Sequence, residues 1–173
     1  MIAGNDAEKS SQSRTQVERA SGRELVIRRV FRAPPPLVFD AMTKPELLRR
    51  WWAPRSLGVS LIECEADVRV GGRYRYVFGR PGQAVMAFSG VYREVVPGSR
   101  VVYTQIFEPM PEAGEGLITT EFHPHSEGTM MVSRELYPST EVLDGVIASG
   151  MDRGMRESLD QLEELVRSLA TTA

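Results

Sequence analysis

Glu121, His123 and His125 alternate along the chain around Pro124. On an extended backbone such side chains project to one side, so the spacing is that of a set of metal ligands. Pro124 and Ser126-Glu127-Gly128, however, are turn residues, and they place the triplet at a strand end or hairpin. A solvated turn is the expectation, and no metal or other cofactor is predicted. Asp67 and Arg69 share a face just before Gly71-Gly72 and could act as an acid and its orienting cation. The same spacing serves as an ion pair supporting a turn, which is the expected role. The adjacent Trp51 and Trp52 could flank a cavity mouth, Trp52 being the candidate for ligand contact, while at least one ring is expected to be a core anchor at the helix end. The lone cysteine, Cys64, has apolar neighbours and reads as a buried, inert thiol. No Gly-x-Ser-x-Gly elbow, phosphate-binding loop or dinucleotide fingerprint occurs, so nucleotide chemistry is not expected.

The elements that would carry these groups follow from periodicity. Strands are predicted over 24–32, 57–69, 72–79, 84–96, 100–107, 116–123 and 128–136, bounded by Gly71-Gly72, Pro97-Gly98 and similar turns. Tyr74, Tyr76 and Phe78 alternate with Arg73 and Arg75, which makes one face apolar and the other wet. Leu57, Val59 and Leu61 are out of phase with Ile62, Cys64, Ala66 and Val68, which predicts a bulge near Leu61. Ahead of this region, Pro34-Pro35-Pro36 leads into a short helix, and Thr43 with Glu46 matches a capping box around Pro45 for a second helix starting near Lys44. Ile147, Met151, Met155, Leu159, Leu162, Val166 and Leu169 recur every three or four residues, predicting one long amphipathic helix. Gly150, Gly154 and Ser158 leave a strip of that helix without bulk. The strip fits close backbone packing against the sheet or a partner, or room for a ligand between helix and sheet.

The chain has 173 residues, 42% hydrophobic and 25% charged, with a formal net charge of -2 and its acids and bases interspersed. This suits one globular domain over residues 23–171 after a flexible polar tail over 1–22, and provides no field for nucleic acid. No apolar run reaches the length of a bilayer span, and the N-terminus lacks a signal-peptide layout, so a cytoplasmic protein without membrane insertion is expected.

Phe31, Ala33-Pro34, Val38-Phe39, Ala41, Thr43, Pro45, Leu48 and Trp51-Trp52 form the first part of a wider pattern. Asp67, Arg69, Gly71-Gly72, Gly90, Tyr92 and Pro97 continue it, and Gly150-Met151, Gly154, Ser158-Leu159 and Leu162 close it. With this set the chain resembles the START-like (SRPBCC) superfamily, and within it the family related to the C-terminal domain of the activator of heat-shock-protein-90 ATPase. One departure is Met155, where relatives often carry tryptophan, which implies a softer wall at that point.

The resemblance implies an α+β helix-grip fold: a curved antiparallel sheet of about seven strands wrapped around the long C-terminal helix, with two short helices after the first strand. It further implies a cavity for a small hydrophobic or amphipathic molecule. The candidate ligand-binding residues are Trp52, Tyr74, Tyr76, Phe78, Phe88 and Tyr103 from the sheet side, and Met151, Gly154, Met155 and Ser158 from the helix. Two alternatives remain open at this level. One is an enzyme of the cyclase or aromatase kind acting on a polyketide-like substrate, with Tyr74, Tyr76, Tyr103, Arg69 or His123 as polar groups. The other is a protein-interaction module, co-chaperone-like or a homodimer through a sheet edge or the helix flank. No catalytic residue is assigned.

Overall fold

The computed structural model describes residues 14–172. Eight antiparallel strands form one sheet in the order β1-β2-β8-β7-β6-β5-β4-β3. They are β1 (Thr15–Arg19), β2 (Glu24–Phe31), β3 (Ser60–Ala66), β4 (Arg73–Arg80), β5 (Gln83–Val96), β6 (Arg100–Phe107), β7 (Glu115–His125) and β8 (Gly128–Leu136). Strands β3 to β8 form a continuous meander, and β2 then pairs with β8. Among the described residues four α-helices of four residues or more accompany the sheet: α1 (Pro35–Thr43), α2 (Pro45–Leu48), α3 (Thr140–Ala148) and α4 (Met151–Thr172). The α+β class, the antiparallel sheet and the long last helix are as expected, in the broad arrangement of a helix-grip fold.

The strand count differs from the expected seven. Thr15–Arg19 is an eighth, edge strand, with Val17 opposite Ile27. It lies within the stretch read as a flexible tail, whose first thirteen residues fall outside the described residues. The segment TQVER escapes notice because polar and charged residues surround its single apolar one, a composition that also suits an exposed edge.

The predicted bulge is present: Leu61 pairs with Phe78 but Glu63 pairs with Val77, so Ile62 is the extra residue that resets the alternation. Tyr74, Tyr76 and Phe78 are then all buried on the inner face, together with Leu61 and Cys64. In β5, Gly90 lies opposite Tyr74. A Cβ there would fall 1.9 Å from the Thr104 carbonyl and 2.8 Å from the Tyr74 ring, so only glycine lets the ring lie across the neighbouring strand.

Two local expectations are corrected. Thr43 does not form a capping box with Glu46, because Thr43 is still helical in α1 and its hydroxyl donates instead to the Phe39 carbonyl at 2.8 Å. Lys44 takes the N-cap position of α2 without a side-chain cap. The long helix is also not continuous from Ile147. Gly150 adopts φ 77° and separates α3 from α4, leaving Ile147 exposed on α3. The Ser139 hydroxyl caps α3 by accepting from the Val142 N–H.

Leu159, Leu162, Leu165 and Val166 of α4 pack onto the inner sheet face with Phe31, Val38, Phe39, Trp51, Phe122 and Met131. Leu162 and Val166 are completely inaccessible, so this stripe is the central seam of the core.

Candidate functional site

Both flanks of α4 are tied by polar groups, and the two sets differ. Toward β1 and β2, Arg29 is 2% exposed and reaches Asp160 at 2.6 Å and the Thr15 hydroxyl at 2.8 Å. The Arg156 guanidinium donates to the Thr15 carbonyl, and the Arg32 N–H donates to Glu163. Toward the loop after α2, Gln161 donates to the carbonyls of Trp51 (2.6 Å) and Ala53 (2.9 Å), and Ser158 donates to that of Trp52 (2.7 Å). These carbonyls follow a helix of only four residues and have no intrahelical partner, so α4 caps the end of that turn from outside.

That capping fixes the two tryptophans differently. Trp51 is buried, and its indole N–H donates to the Ala41 carbonyl at 2.8 Å. Trp52 is partly exposed and carries no side-chain hydrogen bond among the described residues. Its ring lies edge-on to Tyr76 at 4.4 Å and to Phe78 at 5.0 Å, with Phe88 at 6.0 Å. The two rings thus differ in packing: Trp51 is an anchored core residue, and Trp52 is held by ring contacts alone.

Beneath Trp52 a small cavity of about 50 Å³ is lined by Met42, Thr43 and Leu48 from the short helices, both tryptophans, and Tyr76, Tyr92, Val101 and Tyr103 from the sheet. The hydroxyls of Tyr76 and Tyr92 lie 3.4 Å apart. Tyr74 stands behind them, its ring 4.8 Å from Tyr76 and 5.4 Å from Tyr103, and donates to the Thr104 carbonyl. Burial raises all four tyrosine pKa values above the ordinary phenol range, so each stays neutral and keeps its proton to donate. The Cys64 thiol is likewise pushed up to about 11 by burial, which makes it the unreactive core group expected.

The predicted residues therefore fall into three groups. Trp52, Tyr76 and Tyr103 line the cavity; Tyr74, Phe78 and Phe88 form the aromatic layer around it. Met155 packs against the core, whereas Met151 is partly exposed and outside that cluster. Gly154 and Ser158 do not line the cavity: a Cβ on Gly154 would sit 3.5 Å from the Pro54 ring, and Ser158 holds the Trp52 carbonyl. The strip without bulk thus serves close packing of the loop at Trp52–Pro54. Tyr92, Met42 and Thr43 were not anticipated as lining residues. For Tyr92 a signal existed, since it sits two residues beyond Gly90 on the face of the aromatic set.

The polar motifs resolve separately. Glu121 pairs with Arg100 at 3.1 Å, and His125 Nδ1 accepts from the Glu127 N–H across the hairpin. Among the described residues no three His, Cys, Asp or Glu side chains converge on a common point. Asp67 and Arg69 form an exposed ion pair at 2.8 Å beside the turn.

This arrangement has clear relatives. The family model for Activator of Hsp90 ATPase homolog 1-like protein matches residues 32–167. The chain belongs to that family. Among solved structures, a Rhodobacter sphaeroides protein is 28% identical and superposes with a TM-score of 0.81, over 89% of this chain and 99% of that one. A Chromobacterium violaceum protein is 32% identical with a TM-score of 0.68, over 83% and 97% of the two chains. A Nitrosomonas europaea protein is 25% identical with a TM-score of 0.74, over 87% and 97%. No functionally curated protein matches the chain. Among the described residues no helix of this family member is long and apolar enough to cross a membrane.

Proposed function

We propose that this protein binds a small hydrophobic or amphipathic molecule on the inner sheet face, in the space now filled by the Trp52 indole and the small cavity below it. The observation that carries this reading is the contrast in anchoring: an indole set edge-on against aromatic rings without a hydrogen bond, lining one cavity with neutral tyrosines. A volume of about 50 Å³ accommodates a few water molecules. Sites for small organic ligands are roughly 300–1,000 Å³, so binding requires Trp52 to swing outward. The loop that carries Trp52 stays in place because Gln161 and Ser158 hold its backbone and not the ring. Family membership supports the same reading, since START-like proteins commonly hold apolar ligands.

Acid-base catalysis receives less support from the cavity. Its only ionisable side chains are tyrosines, which burial keeps protonated, and no carboxylate or histidine lines it.

Native mass spectrometry of freshly purified protein, followed by extraction and identification of any adduct, tests the proposal. The expected result is a retained apolar molecule whose addition shifts Trp52 emission in a Trp51→Phe variant. Protein that is empty, and whose emission is unchanged across a panel of aliphatic and aromatic amphiphiles, would overturn it.

A further inference from the structure

One row of the inner sheet face crosses five strands: Leu25, Glu135, Ile118, Tyr103 and Tyr92 lie directly opposite one another in sequence of pairing. Directly opposed residues share a face, so Glu135 points to the same side as Tyr103 and Tyr92, two of the three tyrosines that line the cavity. Neighbouring strands are about 4.8 Å apart, which puts its Cα roughly 10 Å from that of Tyr103.

Glu135 differs from the ion-paired carboxylates of this protein in facing the inner side of the sheet without a cation. Glu63, Glu108, Glu94, Glu121, Glu24 and Asp160 each face an arginine. Glu135, partly buried, has no cationic partner among the described residues; its contact is the Tyr137 hydroxyl, which donates to it at 2.6 Å. Burial raises its pKa, and no positive side chain offsets this. The inner sheet face therefore carries a carboxyl group without a counter-ion, two strands from Tyr103 of the aromatic layer. Electron-rich ring faces attract cations, and a partly desolvated carboxylate without a counter-ion does so more strongly.

Building on the proposed cavity, we infer that its preferred ligand is a cationic amphiphile, an apolar chain or ring bearing an amine, whose body displaces Trp52 while its ammonium reaches the Glu135 carboxylate past Tyr103. Tyr137 orients that carboxylate through its hydroxyl and so acts as a positioning residue.

The test uses three probes with one carbon skeleton: n-octylamine, 1-octanol and octanoate, titrated into the full chain while tryptophan emission is followed. Octylamine is expected to bind about tenfold or more tightly than octanol, with octanoate weakest; tenfold corresponds to about 1.4 kcal/mol. Glu135→Gln keeps an acceptor for Tyr137 and should bring octylamine and octanol to equal affinity. Glu121→Gln, on the outer face beside Arg100, should leave the gap intact. Octanol binding as well as octylamine, or a gap that survives Glu135→Gln in a folded variant, overturns the choice of a cation and leaves the cavity standing. If none of the three binds, the cavity itself fails.

Discussion

The two flanks of the long helix are held by different chemistry, and the difference separates scaffold from working part. On the β1–β2 flank the ties are charged and one partner, Arg29, is sealed from solvent. On the other flank the sheltered ties are neutral, Gln161 and Ser158 gripping three consecutive carbonyls of the 51–53 segment, and the charged ones, Arg55 to Glu164 and Ser56 to Glu157, lie exposed at the rim. A buried charge is intolerant of losing its partner, so the first flank has one stable arrangement. Backbone capping fixes where a loop runs but leaves its side chains to their own packing. Trp52 sits on the second flank, where an indole can move without disturbing the fold.

The largest expected effect comes from breaking the charged flank. Asp160→Ala removes the carboxylate from Arg29 and leaves the guanidinium inaccessible with the Thr15 hydroxyl still in contact. Loss of one partner of a fully buried pair costs about 3–5 kcal/mol, and the lower end applies here because Asp160 is 38% exposed. Urea denaturation should show a loss near that range, whereas Gln161→Ala, on the neutral flank, should cost about 1–3 kcal/mol through unpaired carbonyls. Equal losses for the two variants would remove the distinction between flanks.

The adjacent tryptophans supply a finer version of the same comparison. Trp51→Leu loses a buried ring and the bond to Ala41, with an expected cost of about 2–4 kcal/mol. Trp52→Leu leaves a partly exposed site and should cost about half as much, while opening the cavity to the amphiphile probes. Thermal and urea unfolding of both variants, with probe titration of the second, checks this. If Trp52→Leu destabilises as much as Trp51→Leu and binds no probe, both rings are core.

Which parts of this contrast are visible in the sequence depends on whether they are local. Alternation in RYRYVF exposes the aromatic face because a strand's period of two is set by the chain itself. The bulge at Ile62 is readable for the same reason, as a break of phase. The end of α3 is hidden by a coincidence: the apolar spacing runs on from Ile147 to Met151 across the break, although Ser139 and Ser149-Gly150 are available as start and stop signals. Glu135 continues the parity of Met131 and Ser133 and could have been placed on the inner face, yet its lack of a counter-ion appears only once eight strands are aligned. The carbonyls that Ser158 and Gln161 serve belong to residues more than a hundred positions earlier, so nothing near either residue announces the contact.

The smallest effect tests what the Gly154 strip is for. The open packing reading places a Cβ at Gly154 in ordinary contact with Pro54, 3.5 Å away, and away from the cavity. Alanine is more favourable than glycine in a helix interior by about 0.8–1 kcal/mol, because glycine surrenders more backbone freedom on folding. Gly154→Ala should therefore raise stability by up to about 1 kcal/mol in urea denaturation and leave octylamine binding unchanged. A larger residue would press on Pro54 and so on the loop held by Ser158, which makes alanine the informative choice. If Gly154→Ala weakens binding without loss of stability, the strip faces the ligand after all, and the neutral flank of α4 forms part of the cavity wall in the ligand-bound state.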